Sequence, residues 1–305
     1  MSTATVGRSP TLTMQSLSPT TFPDDLAALM PRYDGFLLDQ WGVLHDGIRP
    51  YPGAVAALEM LRRASKRVII LSNSGRRGAE NAAQLAKFGF ARDLYDEVVS
   101  AGDDARDALA ARDEPFHRAL GRRCLLLARE GEAHLAQGLG LDLVDDVALA
   151  DFILLMTMDP PRQSVAGWMS LLEAASARRL PMVCANPDMH RASPDGGLQE
   201  APGLVARAYE QLGGIVRYHG KPESRIYRTC LAKLGLDRSR VVAIGDSLAH
   251  DIAGAQGAGI DSVFIGGGIH RGEIVWDGAS MDPASCLALF ARAGRSPTYA
   301  LPLLG

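Results

Sequence analysis

Four apolar runs in this 305-residue chain end in a residue with a reactive side chain. Asp39 follows Gly-Phe-Leu-Leu, Ser72 follows Val-Ile-Ile-Leu, Lys221 follows Ile-Val-Arg-Tyr-His-Gly and Asp246 follows Val-Val-Ala-Ile-Gly. Taken singly each is commonplace, because Asp and Ser at a strand end cap helices or close turns and a loop lysine is ordinarily solvated. Taken together they are a set. Two carboxylates, a hydroxyl and an ammonium are the parts needed for phosphoryl transfer through an aspartyl phosphate. A carboxylate nucleophile meets an anionic phosphoryl group only if positive charge screens the repulsion, and a lysine with Mg²⁺, which prefers hard carboxylate oxygens, supplies it.

Such a set works only if the chain brings the four run ends together. Short apolar runs alternate with Ala- and Leu-rich helical stretches, the pattern of an α/β protein with a mostly parallel sheet. Strands are expected at 35–39, 67–74, 181–188, 215–221, 241–246 and 262–266, with further strand-like runs Val-Val-Ser, Cys-Leu-Leu-Leu-Ala and Phe-Ile-Leu-Leu-Met between 96 and 181. The pattern predicts helices near 52–64, 77–88, 103–112, 130–138, 161–178, 203–212, 223–234 and 249–258, and a loop-like tail from Gly294. In an open α/β sheet ligands bind outside the carboxyl ends of the strands, so residues some two hundred positions apart in sequence can converge there.

Composition narrows the class of partner. With 32 Lys plus Arg against 35 Asp plus Glu, the formal charge is −3, which lacks the basic excess of a dedicated nucleic-acid binder. A small molecule is the expected partner, and a second copy of the chain is a candidate one. Cys124, Cys184, Cys230 and Cys286 lie far apart, so buried free thiols are expected in place of a zinc site or a disulfide frame. No apolar run approaches the roughly 20 residues of a membrane-spanning helix. The first 22 residues, rich in Ser, Thr and Pro, read as a disordered tail, and a cytoplasmic setting is expected.

At this point the motifs resemble those of the haloacid dehalogenase (HAD) superfamily. Asp39 in LLDQWGVLHDG is similar to its first motif, Ser72 in ILSNS to its second, Lys221 in HGKP to its third, and Asp246 with Asp251 in GDSLAHD to its fourth. The long segment between the second and third motifs, with ANPD at 185–188, resembles class IIA, whose members include nucleotide, sugar-phosphate and 4-nitrophenyl phosphatases. The resemblance implies a Rossmann-like core over 23–95 and 183–305 and an inserted α/β cap over 96–182. It implies that Asp39 is the nucleophile and that Mg²⁺ is held by Asp39, Asp246 and the backbone carbonyl of Trp41. Ser72 and Lys221 would grip the phosphoryl group and Asp251 would orient Lys221 or a water. Asn73, Asn186 and Asp188 would face the substrate, a small phosphorylated metabolite.

One position departs from the family pattern. Active phosphatases of this family usually carry a second Asp two residues after the nucleophile, as the proton shuttle, and here that residue is Trp41. General acid–base help contributes about 10² to 10⁴ in rate. Three readings stay open: a substrate with an acidic leaving group, a substitute acid at His45 or Asp46, or a protein that binds phosphorylated metabolites with little turnover. GDSLA at 245–249 also resembles the GDSL serine esterases, with Ser247 as nucleophile, but their downstream DxxH is missing, since Gly267 stands three residues before His270. GGGIHRG at 266–272 reads as a flexible loop beside the cleft, and His219 as either a substrate contact or a loop histidine with a partner.

Overall fold

The computed structural model describes residues 20–193 and 197–305. In chain order its strands are β1 (Gly35–Leu38), β2 (Arg67–Ser72), β3 (Glu97–Ser100), β4 (Arg123–Leu127), β5 (Asp142–Val144), β6 (Phe152–Leu155), β7 (Pro181–Cys184), β8 (His190–Ala192), β9 (Leu198–Glu200), β10 (Ile215–Tyr218), β11 (Val241–Gly245), β12 (Asp261–Ile265), β13 (Trp276–Asp277), β14 (Ser280–Met281) and β15 (Tyr299–Leu301). Six form one sheet in the order β15-β12-β11-β1-β2-β3, and five form a second in the order β10-β7-β6-β4-β5. Every pairing in both sheets is parallel.

Parallel strands need crossover helices, which cover both faces and explain the unbroken apolar runs. In β1, Phe36 and Leu38 join one core cluster and Leu37 joins the cluster on the opposite face. In β6, Ile153 and Leu155 face one way, Phe152 and Leu154 the other. The order of the first sheet reverses between β1 and β11, and at such a reversal the connecting helices leave to opposite sides and open a crevice at the strands' carboxyl ends. Asp39 and Asp246 follow the two strands that flank it.

The α/β architecture is as expected, and several boundaries differ. The strand at 97–100, expected in the insert, is the edge of the first sheet, paired with β2 from Ile69–Glu97 to Ser72–Ser100. Conversely β7 and β10 belong to the second sheet, so its strands run from Arg123 to Tyr218 and the expected divisions at 95/96 and 182/183 cut across both sheets. An apolar run announces a strand without announcing which sheet it joins. The expected helix at 130–138 is a single 3₁₀ turn at Ala133–Ala136, bounded by Gly131 and Gly138 at positive φ. The tail beyond Gly294 supplies β15, and Pro283–Ala293 is a helix that the sequence reading missed.

Of the expected disordered tail, residues 1–19 lie outside the described residues, but Thr20–Phe22 are tied down. The Thr21 N–H donates to Thr298 O and the Ala300 N–H to Thr21 O, both at 3.0 Å, and Phe22 packs against the cluster around Phe264. All four cysteines are buried and free. Among the described residues no helix is long and apolar enough to cross a membrane.

Candidate active site

The Asp39 N–H donates to Ile244 O at 2.8 Å, continuing the β1–β11 ladder and fixing its carboxylate at the mouth of the crevice. Lys221, 2% exposed, comes from the chain segment that leaves β10, and its Nζ donates to Asp39 Oδ1 at 2.5 Å and to Asp251 Oδ1 at 2.8 Å. Oδ2 of Asp251 accepts the Ser247 N–H at 3.1 Å, and Oδ2 of Asp246 accepts the Ile269 N–H at 2.8 Å. Carboxylate oxygens of Asp39, Asp246 and Asp251 lie within 4.8 Å of one another, all three buried. Ser72 closes β2 in the wall of the same cavity, whose volume is about 750 Å³.

Two glycines make this packing possible. Gly42 has φ +87°, and a Cβ there would lie 1.9 Å from Asp246 Oδ2. Gly220 has φ +95°, and a Cβ would meet Ala101 Cβ and Asn73 Oδ1, both at 2.6 Å. Only glycine combines that backbone conformation with that clearance.

Three buried carboxylates surround one ammonium, so the cluster with every group ionised carries two excess negative charges. Burial pushes the Asp39 carboxyl up to about 7, with the Asp251 charge adding to the rise and Lys221 opposing it. Burial also drives Asp246 well above the ordinary range, helped by Asp39 and Asp251. Burial works against the Lys221 charge, but Asp251 and Asp39 outweigh it and hold Lys221 well above its ordinary value. Asp246, whose only protein donor among the described residues is one backbone N–H, is the carboxylate left to be neutralised. Hard oxygens, net negative charge and an open cavity fit a divalent cation such as Mg²⁺.

The remaining expected residues divide. Asn73 brackets Lys221, accepting its N–H at 2.7 Å and donating to its carbonyl at 3.3 Å and to Asp188 Oδ1 at 2.8 Å, so both amide hydrogens are committed within the protein. Asp188 also pairs with His250 Nδ1 at 3.0 Å, and Asn186 Oδ1 accepts the Asp188 N–H at 3.1 Å in the cavity wall.

Asp46 is not in the cavity: its Oδ1 accepts the Ile48 and Arg49 N–H groups at 2.9 Å, closing a turn. His45 reaches the cavity wall with both ring nitrogens engaged. Its Nδ1 accepts the Gly47 N–H at 3.0 Å, so Nε2 carries the proton and faces the Gln40 amide at 3.0 Å. Gln40 Oε1 is otherwise buried and unpartnered, and turning that amide toward Nε2 satisfies both groups. Burial pulls His45 down to about 4, so it stays neutral and structural.

Trp41 lines the cavity, edge-on to His45 at 5.3 Å between ring centroids, and Arg191 lies over its ring at 5.3 Å. Ser247 Oγ accepts the His250 N–H at 3.2 Å as a helix cap and has no hydrogen bond to an imidazole among the described residues, which argues against the serine-esterase reading. His219 is buried, with Nδ1 at 2.8 Å from Asp104 and Nε2 at 3.0 Å from His117, a link between helices rather than a substrate contact. The sequence reading missed Arg76, Arg129, Arg191 and His250, which line the cavity from four separate segments. No run or spacing marks the three arginines, whereas His250 stands inside GDSLAHD, directly before Asp251.

A parallel α/β sheet with a buried aspartate, lysine and acidic cluster at its reversal point defines a hydrolase-type active site of the Rossmann-like class. The chain belongs to the haloacid dehalogenase-like hydrolase family, in the class IIA branch that its motifs resemble. A family model described as haloacid dehalogenase-like hydrolase matches residues 36–142, and one described as HAD-hydrolase-like matches 218–285. The crystal structure of a haloacid dehalogenase-like family hydrolase from Brucella suis is 30% identical, with TM-score 0.79, over 93% of this chain and 100% of that one. A D-glycerol 3-phosphate phosphatase of Mycobacterium tuberculosis is 29% identical over 283 residues, 90% of this chain and 70% of that protein. A crystal structure of a glycerol phosphate phosphatase from the same organism, in complex with magnesium, is 26% identical with TM-score 0.65, over 90% of this chain and 76% of that one.

Proposed function

We propose that this protein is a Mg²⁺-dependent phosphatase of a small phosphorylated metabolite, working through an aspartyl phosphate on Asp39. The observation that carries the reading is the buried Asp39–Lys221–Asp251 hydrogen-bonded array beside Asp246, opening into a cavity large enough for a metabolite. The glycerol phosphate phosphatases of M. tuberculosis to which the chain is similar, and the magnesium in one of their structures, support it.

Asp39 attacks the phosphoryl group in line, forming an Asp–O–P bond as the bond to the leaving oxygen breaks. Lys221 and Ser72 hold the phosphoryl oxygens, and Asp251 keeps Lys221 in place. Asp39, Asp246 and the Trp41 carbonyl would hold the cation, which when bound supplies positive charge against the phosphoryl oxygens. Water then attacks phosphorus, releasing phosphate and restoring the carboxylate. In this scheme the first sheet is the core and the second sheet is the cap that closes over the leaving group.

Trp41 offers no titratable proton where the family has its acid, and His45 and Asp46 do not replace it. Efficient turnover is therefore expected for leaving groups that depart without strong protonation, such as an acyl or aryl oxygen. The test is a phosphate-release screen with acetyl phosphate, 4-nitrophenyl phosphate and alkyl phosphates, with and without Mg²⁺, on wild type and Asp39→Asn. Release that needs Mg²⁺ and Asp39 supports the proposal; no release from any of these compounds, acetyl phosphate included, with ligand-induced thermal stabilisation instead, supports a phosphometabolite-binding protein.

A further inference from the structure

The cavity has a second pole, away from the acidic cluster. Arg129, after β4, anchors its backbone N–H on Thr157 Oγ1 at 3.0 Å and its Nε on Met158 O at 2.9 Å, while its two terminal amino groups make no hydrogen bond to protein among the described residues. Arg191, in β8, is held by Gln199 Oε1 at 3.1 Å and lies over Trp41. Both are half-buried and line the cavity. Neither has a carboxylate within ion-pair distance among the described residues. The nearby acids are otherwise engaged or loosely placed: Glu132 pairs with Arg76 and accepts from Thr157, and Asp159 stands 4.0 Å from Arg162. Burial and the repulsion of Arg76 pull both guanidiniums below their ordinary values, with Arg129 adding to the fall at Arg191, while Asp159 opposes at both and Glu132 at Arg129.

Two guanidiniums fixed in a cavity wall by neutral acceptors, with donor groups left over, form a preorganised site for an anion. Arg191 is also placed by Trp41, two residues from the nucleophile, so this pole lies on the leaving-group side. We infer that the preferred substrate carries a second anionic group, a carboxylate or a second phosphate, on its leaving group, and that Arg129 and Arg191 bind it. The inference rests on the phosphatase reading above and deepens it.

Matched pairs of probes test it. 3-Phosphoglycerate and glycerol 3-phosphate differ by a carboxylate in place of a neutral hydroxymethyl; fructose 1,6-bisphosphate and fructose 6-phosphate differ by a phosphate. The expected result is at least a tenfold preference in kcat/KM for the more anionic member of one pair, about the effect of one charge-assisted hydrogen bond. Which pair shows it tells carboxylate from phosphate. Arg129→Gln and Arg191→Gln should each reduce that ratio about tenfold, through KM more than kcat, with thermal unfolding checking that each variant folds. Equal kcat/KM within both pairs, or a preference that survives both substitutions, would overturn the inference while leaving the phosphatase reading standing. All four probes are alkyl phosphates, so the phosphatase reading fails only if acetyl phosphate and 4-nitrophenyl phosphate also release no phosphate. Where the four probes are not turned over, calorimetric titration of them into the Mg²⁺-loaded protein decides the anion site, and equal affinities within each pair would overturn it.

Discussion

Lys221 is the residue on which the site's electrostatics turn, because among the described residues it alone forms an ion pair with the two buried carboxylates of Asp39 and Asp251. Removing one partner of a buried pair leaves an uncompensated charge, which costs about 3–5 kcal/mol. Lys221→Met should therefore lower the unfolding free energy by about that amount in urea denaturation, beyond its loss of activity; a change under about 1 kcal/mol would contradict the pairing. Asp39 works in the opposite direction. Its folded carboxyl holds a proton up to about pH 7, while in the unfolded chain it releases it near the ordinary 3.8. Between those values the folded state binds more protons, so stability of the metal-free protein falls as pH rises through that window. A cation that replaces the proton should then raise Tm more at pH 8 than at pH 5.5, and a shift that is equal or smaller at pH 8 would count against a metal on Asp39 and Asp246. At this scale the sequence was informative for residues that terminate apolar runs. It misled at Asp46, because an aspartate that closes a turn has the same neighbours in sequence as one that lines a cleft. It was silent on Arg129 and Arg191, whose role comes from where tertiary packing leaves them.

Among the elements, strands with both faces buried were legible, since β1, β2, β6, β7, β11 and β12 read as unbroken apolar runs. β5, with two of three residues exposed, and β15, flanked by prolines, lack that signature. β15 is nonetheless held on both sides, by β12 and by the bridge from Thr21, and it carries the fully buried Leu301 into the main core cluster. Leu301→Ala should cost about 2–5 kcal/mol by the loss of buried methyl groups and the cavity left behind. A denaturation midpoint matching wild type would show that the carboxyl-terminal segment is not part of the core. The helix at Ala101–Ala111 and the end of β10 are joined by Asp104 and His219, where the chain passes from the first sheet to the second and back. That junction explains why Gly220 and Lys221 arrive at the nucleophile in a fixed position.

In the whole molecule, the net charge of −3 conceals two local poles, an acidic cluster that fits a cation and an arginine pair that fits an anion. Neither is visible in an average over 305 residues. Two parallel sheets each have their own buried faces, and in the proposed reaction one side of the cavity would carry the reacting groups and the other would meet the rest of the substrate. The family resemblance of the motifs led to the expectation of a core with an inserted cap; which strand belongs to which sheet comes from the pairing. The central claim is a covalent phosphoryl group on Asp39, and borohydride reduction tests it most directly, because it converts an aspartyl phosphate to homoserine. Protein quenched during turnover with Mg²⁺ and acetyl phosphate, reduced and digested, should show homoserine at position 39 by peptide mass spectrometry and none when substrate is omitted. Steady phosphate release with an unmodified Asp39 peptide, or release undiminished in Asp39→Asn, would contradict the account.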